Sequence, residues 1–180
     1  MKRLILILII LIILASPVKH VSATEESEAA ARLVTQTATA DKRSQQLQAF
    51  LAAHNSPLTE EANHFVSEAD RLNLDWKLVA AIAGVESTFG RFIPTNSFNA
   101  WGWGVFTGLQ DGVHFKDWKD GITQVSEGLR HNYLDRGATT IEQIGRIYAA
   151  SPAWPWKVRY FLAKIEGFTP NRPEQLEVIL

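Results

Sequence analysis

The 180-residue chain contains no cysteine. No disulfide can brace it, thiolate chemistry is excluded, and so are the cysteine-rich zinc sites. Nor is there an excess of positive charge: 18 Lys and Arg stand against 19 Asp and Glu. That balance argues against a nucleic-acid binder, which needs a basic face, and gives no pull towards an anionic surface. A long apolar run is also missing. The longest, "LILILIILIILA" from Leu4 to Ala15, falls short of the roughly 20 residues that cross a bilayer comfortably.

What is present begins with a targeting pattern. Met1-Lys2-Arg3 is a basic start, Pro17 closes the apolar run, and "VSA" at Val21 to Ala23 has the small residues of a signal-peptidase site. Residues 1–23 therefore read as a signal peptide cleaved after Ala23, with export of the remainder to the extracellular space or the cell envelope. The competing reading is an uncleaved anchor that tethers the domain to the membrane. Cleavage removes Lys2, Arg3 and Lys19 but no acid, leaving 15 of the 18 basic residues against 19 acidic ones and a net charge of about −4. About 125 residues then suffice for a core without cross-links. Six tryptophans are the anomaly of the composition. Trp101, Trp103, Trp118, Trp154 and Trp156 fall in the last eighty residues, as core or as flat platforms for a ligand.

Residues 24–55 read as a linker followed by a short leading helix carrying Leu47, Phe50 and Leu51. Ser56-Pro57 has the form of a helix start. Leu58, Ala62, Phe65, Ala69 and Leu72 follow in steps of four and three, one face of an amphipathic helix. Asp75 is placed to cap the next helix, "WKLVAAIAGVEST", in which Val79, Ile82, Ala83 and Glu86 share a side. Glycines and Pro94 break the period over 90–116, which reads as loop or a small hairpin. Helices return with Ile122, Val125, Leu129 and Tyr133, then with "TTIEQIGRIYA", where Thr139 and Glu142 have capping-box spacing. A last helix runs from about Pro155 to Glu166 and stops at Gly167. The class is mainly α, with at most a small β element in the glycine- and tryptophan-rich loop.

Glu86 is the residue with chemical potential. A carboxyl on the apolar side of a helix has its charged form penalised, so its pKa rises and it keeps a proton near neutrality. Such an acid can protonate the leaving oxygen of a glycosidic bond. On spacing alone, Glu86 is equally a helix-end charge turned to water.

"ESTFG" followed by "NSFNAWGWG" resembles the glucosaminidase-type peptidoglycan hydrolases of the lysozyme-like superfamily, relatives of lytic transglycosylases and goose-type lysozymes. The likeness runs from about Ser56 through "IYAASPAWPWKVRYFLAKI". It implies a lysozyme-like helical domain over 56–170, followed by a tail at 171–180, that cleaves the β-1,4 glycan backbone as an endo-β-N-acetylglucosaminidase. The runner-up is a lytic transglycosylase or muramidase. From another class, a non-catalytic glycan-binding module would keep Trp101 and Trp103 but have no use for Glu86, and a helical interaction protein would have no glycan affinity.

Under this resemblance Glu86 is the general acid and Tyr148 reaches the cleft opposite it. Ser87 bonds within the helix end or to the loop that follows, while Asn99, Trp101 and Trp103 line the glycan groove. Core packing is the alternative for both tryptophans, and an inward helix-face position for Tyr148. Among candidates for a second carboxylate, Asp117 and Asp120 suit a helix N-terminus and Glu127 a solvated helix surface. Asp111, in the loop, is the one that could serve the substrate. The favoured expectation is that Glu86 acts alone or with the substrate's N-acetyl group, which leaves hydrolysis and transglycosylation open. His54, His64, His114 and His131 include no pair at i, i+4, so no metal is expected, and no other cofactor. The expected partner is the peptidoglycan strand, met by a monomer.

Overall fold

The computed structural model describes residues 42–105 and 112–169. The leader at 1–23, the tail at 171–180 and Asp111 lie outside the described residues. Helix α1 covers residues 42–53. A 3₁₀ turn, Thr59–Glu61, leads into α2, Ala62–Leu72, and then α3, Leu78–Ser87, follows. After the loop come α4, Trp118–Gly128, extended by a π-helical turn at Leu129–Tyr133 and a 3₁₀ turn at Leu134–Arg136, then α5, Ile141–Tyr148, and α6, Trp154–Glu166. The chain is mainly helical, with no strand among the described residues.

α3 is the axis of the structure. Leu78 through Gly84 are all buried, and the helix packs most extensively on α6 and also meets α4, while α2 covers α4 and α5 packs on α6. The face foreseen for α2 is the face it buries: Leu58, Ala62, Phe65, Ala69 and Leu72 are all in the core. α1 is no appendage. Leu47, Phe50 and Leu51 are fully enclosed, each stabilising the fold by up to about 1.5–3 kcal/mol. Arg43 grips Asp70 through two bonds of 2.8 and 2.7 Å, and Gln46 donates to the carbonyls of Ile165 and Glu166 at the end of α6.

Two helix starts differ from expectation. Asp75 does not cap α3 directly; its carboxylate accepts from Lys77 N at 3.0 Å and its carbonyl from Leu78 N at 2.9 Å. The acid captures a backbone N–H two residues on and forms a turn in front of the helix instead. On α5 the capping box is shifted by one residue. Thr140 accepts from Gln143 N, and Gln143 Oε1 accepts from Thr140 N. Adjacent threonines with Glu and Gln three residues on offer both registers; Glu142 pairs with Arg159 on α6, leaving Gln143 for the cap. At α4 the expectation holds, with Asp117 accepting from Asp120 N at 2.9 Å and Asp120 from Lys116 N at 3.0 Å.

Glycines determine how closely the aromatic rings approach the helices. A Cβ on Gly84 would stand 2.6 Å from the ring of Phe89, on Gly121 2.7 Å from Trp101, on Gly128 2.2 Å from Trp103, and on Gly145 2.9 Å from Trp154. Each of these rings rests on a backbone that only glycine leaves bare.

Candidate active site

The last turn of α3 leaves the core. Thr88, Phe89 and Gly90 then take three successive left-handed conformations, φ 53, 58 and 81°, which turn the chain sharply away. A phenylalanine in that region is strained. Its full burial, with edge contacts to Phe50 and Phe161, offsets the cost, and Phe89 N bonds back to Ala83 O at 2.9 Å.

Ser87 fixes the returning loop to this helix end. Its hydroxyl lies 2.7 Å from the carbonyl oxygen of Ala100 and 3.1 Å from that of Ala83, and accepts from Gly90 N at 2.8 Å. The residue is buried, its one proton is shared between two carbonyls and a lone pair is taken by an N–H. Burial, more than bonding, keeps Ser87 from a substrate, and its contacts are those of a tie between the helix end and the loop.

Asn99 is likewise spent inside the protein. Nδ2 donates to the carbonyls of Trp103 and Val113, both at 2.9 Å, and Oδ1 accepts from the N–H groups of Trp101 and Trp103. One amide thus knots the two limbs of the loop, helped by Val113 N to Trp103 O and Phe115 N to Ser97 O. Asn99 is buried, and all four of its amide bonds go to loop backbone. Positive φ at Phe98, Gly102 and Gly104 keeps the described limbs from extending into a hairpin.

The two loop tryptophans have different fates. Trp101 is wholly buried, with its indole N–H donated to Val79 O at 3.0 Å and its ring on Gly121. It is core, and its expected place in the groove is corrected: a ring held by a helix carbonyl on one side and Phe65 and Phe115 on others has no open face. Trp103 is half-buried, resting on Gly128, with Tyr133 and Tyr148 at 6.2 and 5.8 Å between ring centroids.

Glu86 points towards this aromatic group. Oε1 accepts from the indole N–H of Trp154 at 2.6 Å, and Oε2 faces the backbone turn at Gly102, 3.5 Å from where a side chain there would begin. The residue as a whole is exposed, yet protein crowds the carboxyl enough that desolvation raises its pKa above the usual value, outweighing the Trp154 N–H and the charge of Lys157. Trp154 is buried and stacks on Tyr148 at 4.9 Å and 24°. Tyr148 donates its hydroxyl to Trp101 O at 2.7 Å. Burial first, then the charge of Glu86 and the neighbouring Tyr133, push its pKa far up, so it stays a neutral phenol.

The structure thus brings Glu86, Tyr148 and Trp103 to one site, with Ser87 and Asn99 as its supports and Trp101 behind it. Tyr148 has its only proton committed to a carbonyl, so it serves as wall and support more readily than as a donor to substrate. Trp154 is the residue in contact with Glu86 that residue patterns did not single out. A buried indole N–H must find an acceptor, but nothing local to "SPAWPW" points to a carboxylate 68 residues away.

Two clefts lie against the later helices. One of about 260 Å³ lies against Trp103, between Gln124, Gly128, His131 and Asn132. The other, of about 440 Å³, lies where α5 meets α6, along Arg146, Ala149, Ser151 and Pro155. Neither is lined by Glu86. Among the described residues no three His, Asp or Glu come together as a metal site, and no helix is long and apolar enough to cross a membrane. The sequence matches no protein-family model, and no curated protein matches it.

Proposed function

We propose that this is a glycosidase of lysozyme-like architecture that cuts the β-1,4 glycan backbone of peptidoglycan with Glu86 as proton donor. The observation that carries this reading is the carboxyl itself. It is held by one indole N–H at the open end of a buried helix and partly stripped of water, so that its proton is retained to higher pH. The leader-like start of the chain supports action outside the cytoplasm, in the cell envelope or beyond.

In the reaction, the Glu86 carboxyl transfers its proton to the glycosidic oxygen as the bond from that oxygen to the anomeric carbon breaks and positive charge develops on the sugar ring. The resulting carboxylate is stabilised by the Trp154 N–H and by Lys157, the two groups that favour its charged form. Among the described residues no second carboxylate acts on Glu86. In that setting the substrate's acetamido oxygen attacks the anomeric carbon and water later opens the ring so formed; the reading as an endo-β-N-acetylglucosaminidase rests on the resemblance of "ESTFG" and "NSFNAWGWG". The runner-up is a lytic transglycosylase or muramidase.

Digestion of purified peptidoglycan followed by mass spectrometry tests this. Products with reducing N-acetylglucosamine ends are expected; reducing muramic ends or anhydro ends identify the runners-up. The variant Glu86→Gln should lose about 10²–10⁴-fold in rate while still binding the polymer. An unchanged rate in that variant removes Glu86 from the chemistry, and polymer binding without any cleavage by the parent protein leaves a glycan-binding module.

A further inference from the structure

α6 buries Trp154, Val158 and Ile165 against the core, and its outer side carries two large aromatics left largely in water. Trp156 is 64 % exposed and Tyr160 48 %. Four residues apart, they share a face of the helix, and their rings stack with centroids 6.2 Å apart and planes inclined by 25°. Lys164, a further four residues on, holds its ammonium 5.4 Å from the centre of the Tyr160 ring. Lys157, three residues before Tyr160, is exposed and close enough to Glu86 to act on its carboxyl. Neither lysine has an ion-pair partner among the described residues; Arg159, by contrast, is paired with Glu142.

An indole left in water forgoes burial that a core could use, and contiguous exposed aromatics mark binding surfaces. Two adjacent aromatics on one exposed helix face offer apolar ring surface suited to the C–H face of a pyranose. The two ammonium groups, without a salt bridge among the described residues though Lys157 also acts on Glu86, favour a ligand that carries negative charge. A neutral polymer has no use for them; one with carboxylate substituents does.

We infer that the Trp156–Tyr160 face extends the glycan site, holding sugar rings of a carboxylate-bearing strand on the aromatics while its carboxylates meet Lys157 and Lys164. The inference rests on the glycosidase reading and deepens it by naming where the uncut part of the strand lies. It also gives the acidic substituents of the polymer a role in recognition.

The test is co-sedimentation with insoluble peptidoglycan in the Glu86→Gln background, where the polymer stays intact. Adding Trp156→Ala and Tyr160→Ala should weaken binding about tenfold, while adding Trp156→Phe and Tyr160→Phe should largely preserve it. Adding Lys157→Gln and Lys164→Gln should weaken binding to peptidoglycan but leave binding to neutral chitin oligosaccharides as it was. If the double alanine variant binds like its parent while the wild-type protein still cleaves, the extension is wrong and the glycosidase reading stands. If the wild-type protein neither binds nor cleaves, both fall. If the alanine variant instead converts a dimer to a monomer in analytical ultracentrifugation, with peptidoglycan binding unchanged, the face belongs to a second copy of the chain and the inference is overturned.

Discussion

The indole N–H of Trp154 donates to Glu86 Oε1 at 2.6 Å, between helices α6 and α3. This bond favours the charged carboxylate and so opposes the burial that raises its pKa. Replacing Trp154 by Phe removes the donor and keeps a ring. The pKa of Glu86 then rises further. A general acid works only while protonated, so activity on glycan falls as pH passes upward through that pKa. The basic limb of the kcat/KM–pH profile should move to higher pH in Trp154→Phe, at a stability cost of about 1–3 kcal/mol. A limb that stays in place would show that the bond does not set the titration.

Stability carries the same signature with the opposite sense. Because the folded pKa of Glu86 lies above its unfolded value, the native state binds more protons between the two values, and stability falls as pH rises through that window. Glu86→Gln keeps an acceptor for Trp154 and has no proton to lose. Its stability relative to the wild type should therefore increase as pH climbs from the ordinary glutamate range through the raised pKa, and level off above it. Denaturant midpoints measured in a pH series on both proteins test this, and a constant difference would contradict it.

Asn99 makes a separable case. Asn99→Ala leaves Val113 O and the N–H groups of Trp101 and Trp103 without this partner, while Trp103 O keeps its bond from Val113 N, and buried polar groups left unpaired cost about 1–3 kcal/mol each before water intervenes. The variant should lose about 2–4 kcal/mol and much of its glycan cleavage together. Thermal melting and turbidity clearance of cell walls at a temperature where the variant remains folded separate the two effects. A residue that touched substrate would show the second loss without the first.

Gly128→Ala would place a methyl group 2.2 Å from the ring of Trp103, closer than any contact allows. The ring must lift from the helix. A destabilisation of about 1–3 kcal/mol is expected, with a red shift in tryptophan emission and weaker glycan binding. Near-UV circular dichroism and fluorescence report it, and a native-like spectrum with native stability would mean that Trp103 does not rest there in solution.

The helices were readable because their periodicity records burial. Leu58, Ala62, Phe65, Ala69 and Leu72 stand in steps of four and three and are all interior. Glu86 drew attention for a similar reason, as one acid closing an apolar run. Trp101 and Trp103 could not be told apart, since their partners are glycines far along the chain, Gly121 beneath one and Gly128 beneath the other. Asn99 has the chemistry of a ligand contact, and only three-dimensional placement reveals that the backbone uses all of it. The shifted box at Thr140 was hidden by its neighbour Thr139, which offers the same spacing. Trp154 had no local mark at all, because its acceptor is contributed by a different helix.

Seven consecutive residues of α3, Leu78 through Gly84, are enclosed on every side. A helix so jacketed cannot slide, roll or tilt without opening voids in a close-packed interior. The carboxyl two residues further on is consequently mounted on a helix held on all sides, so on the proposed reading it is a fixed post to which an incoming polymer is brought. If Glu86 is the proton donor, whatever accommodation binding demands falls to the half-exposed rings and loop limbs around it, and changes there should tune which chains are accepted and how fast they leave, without moving the proton's point of departure.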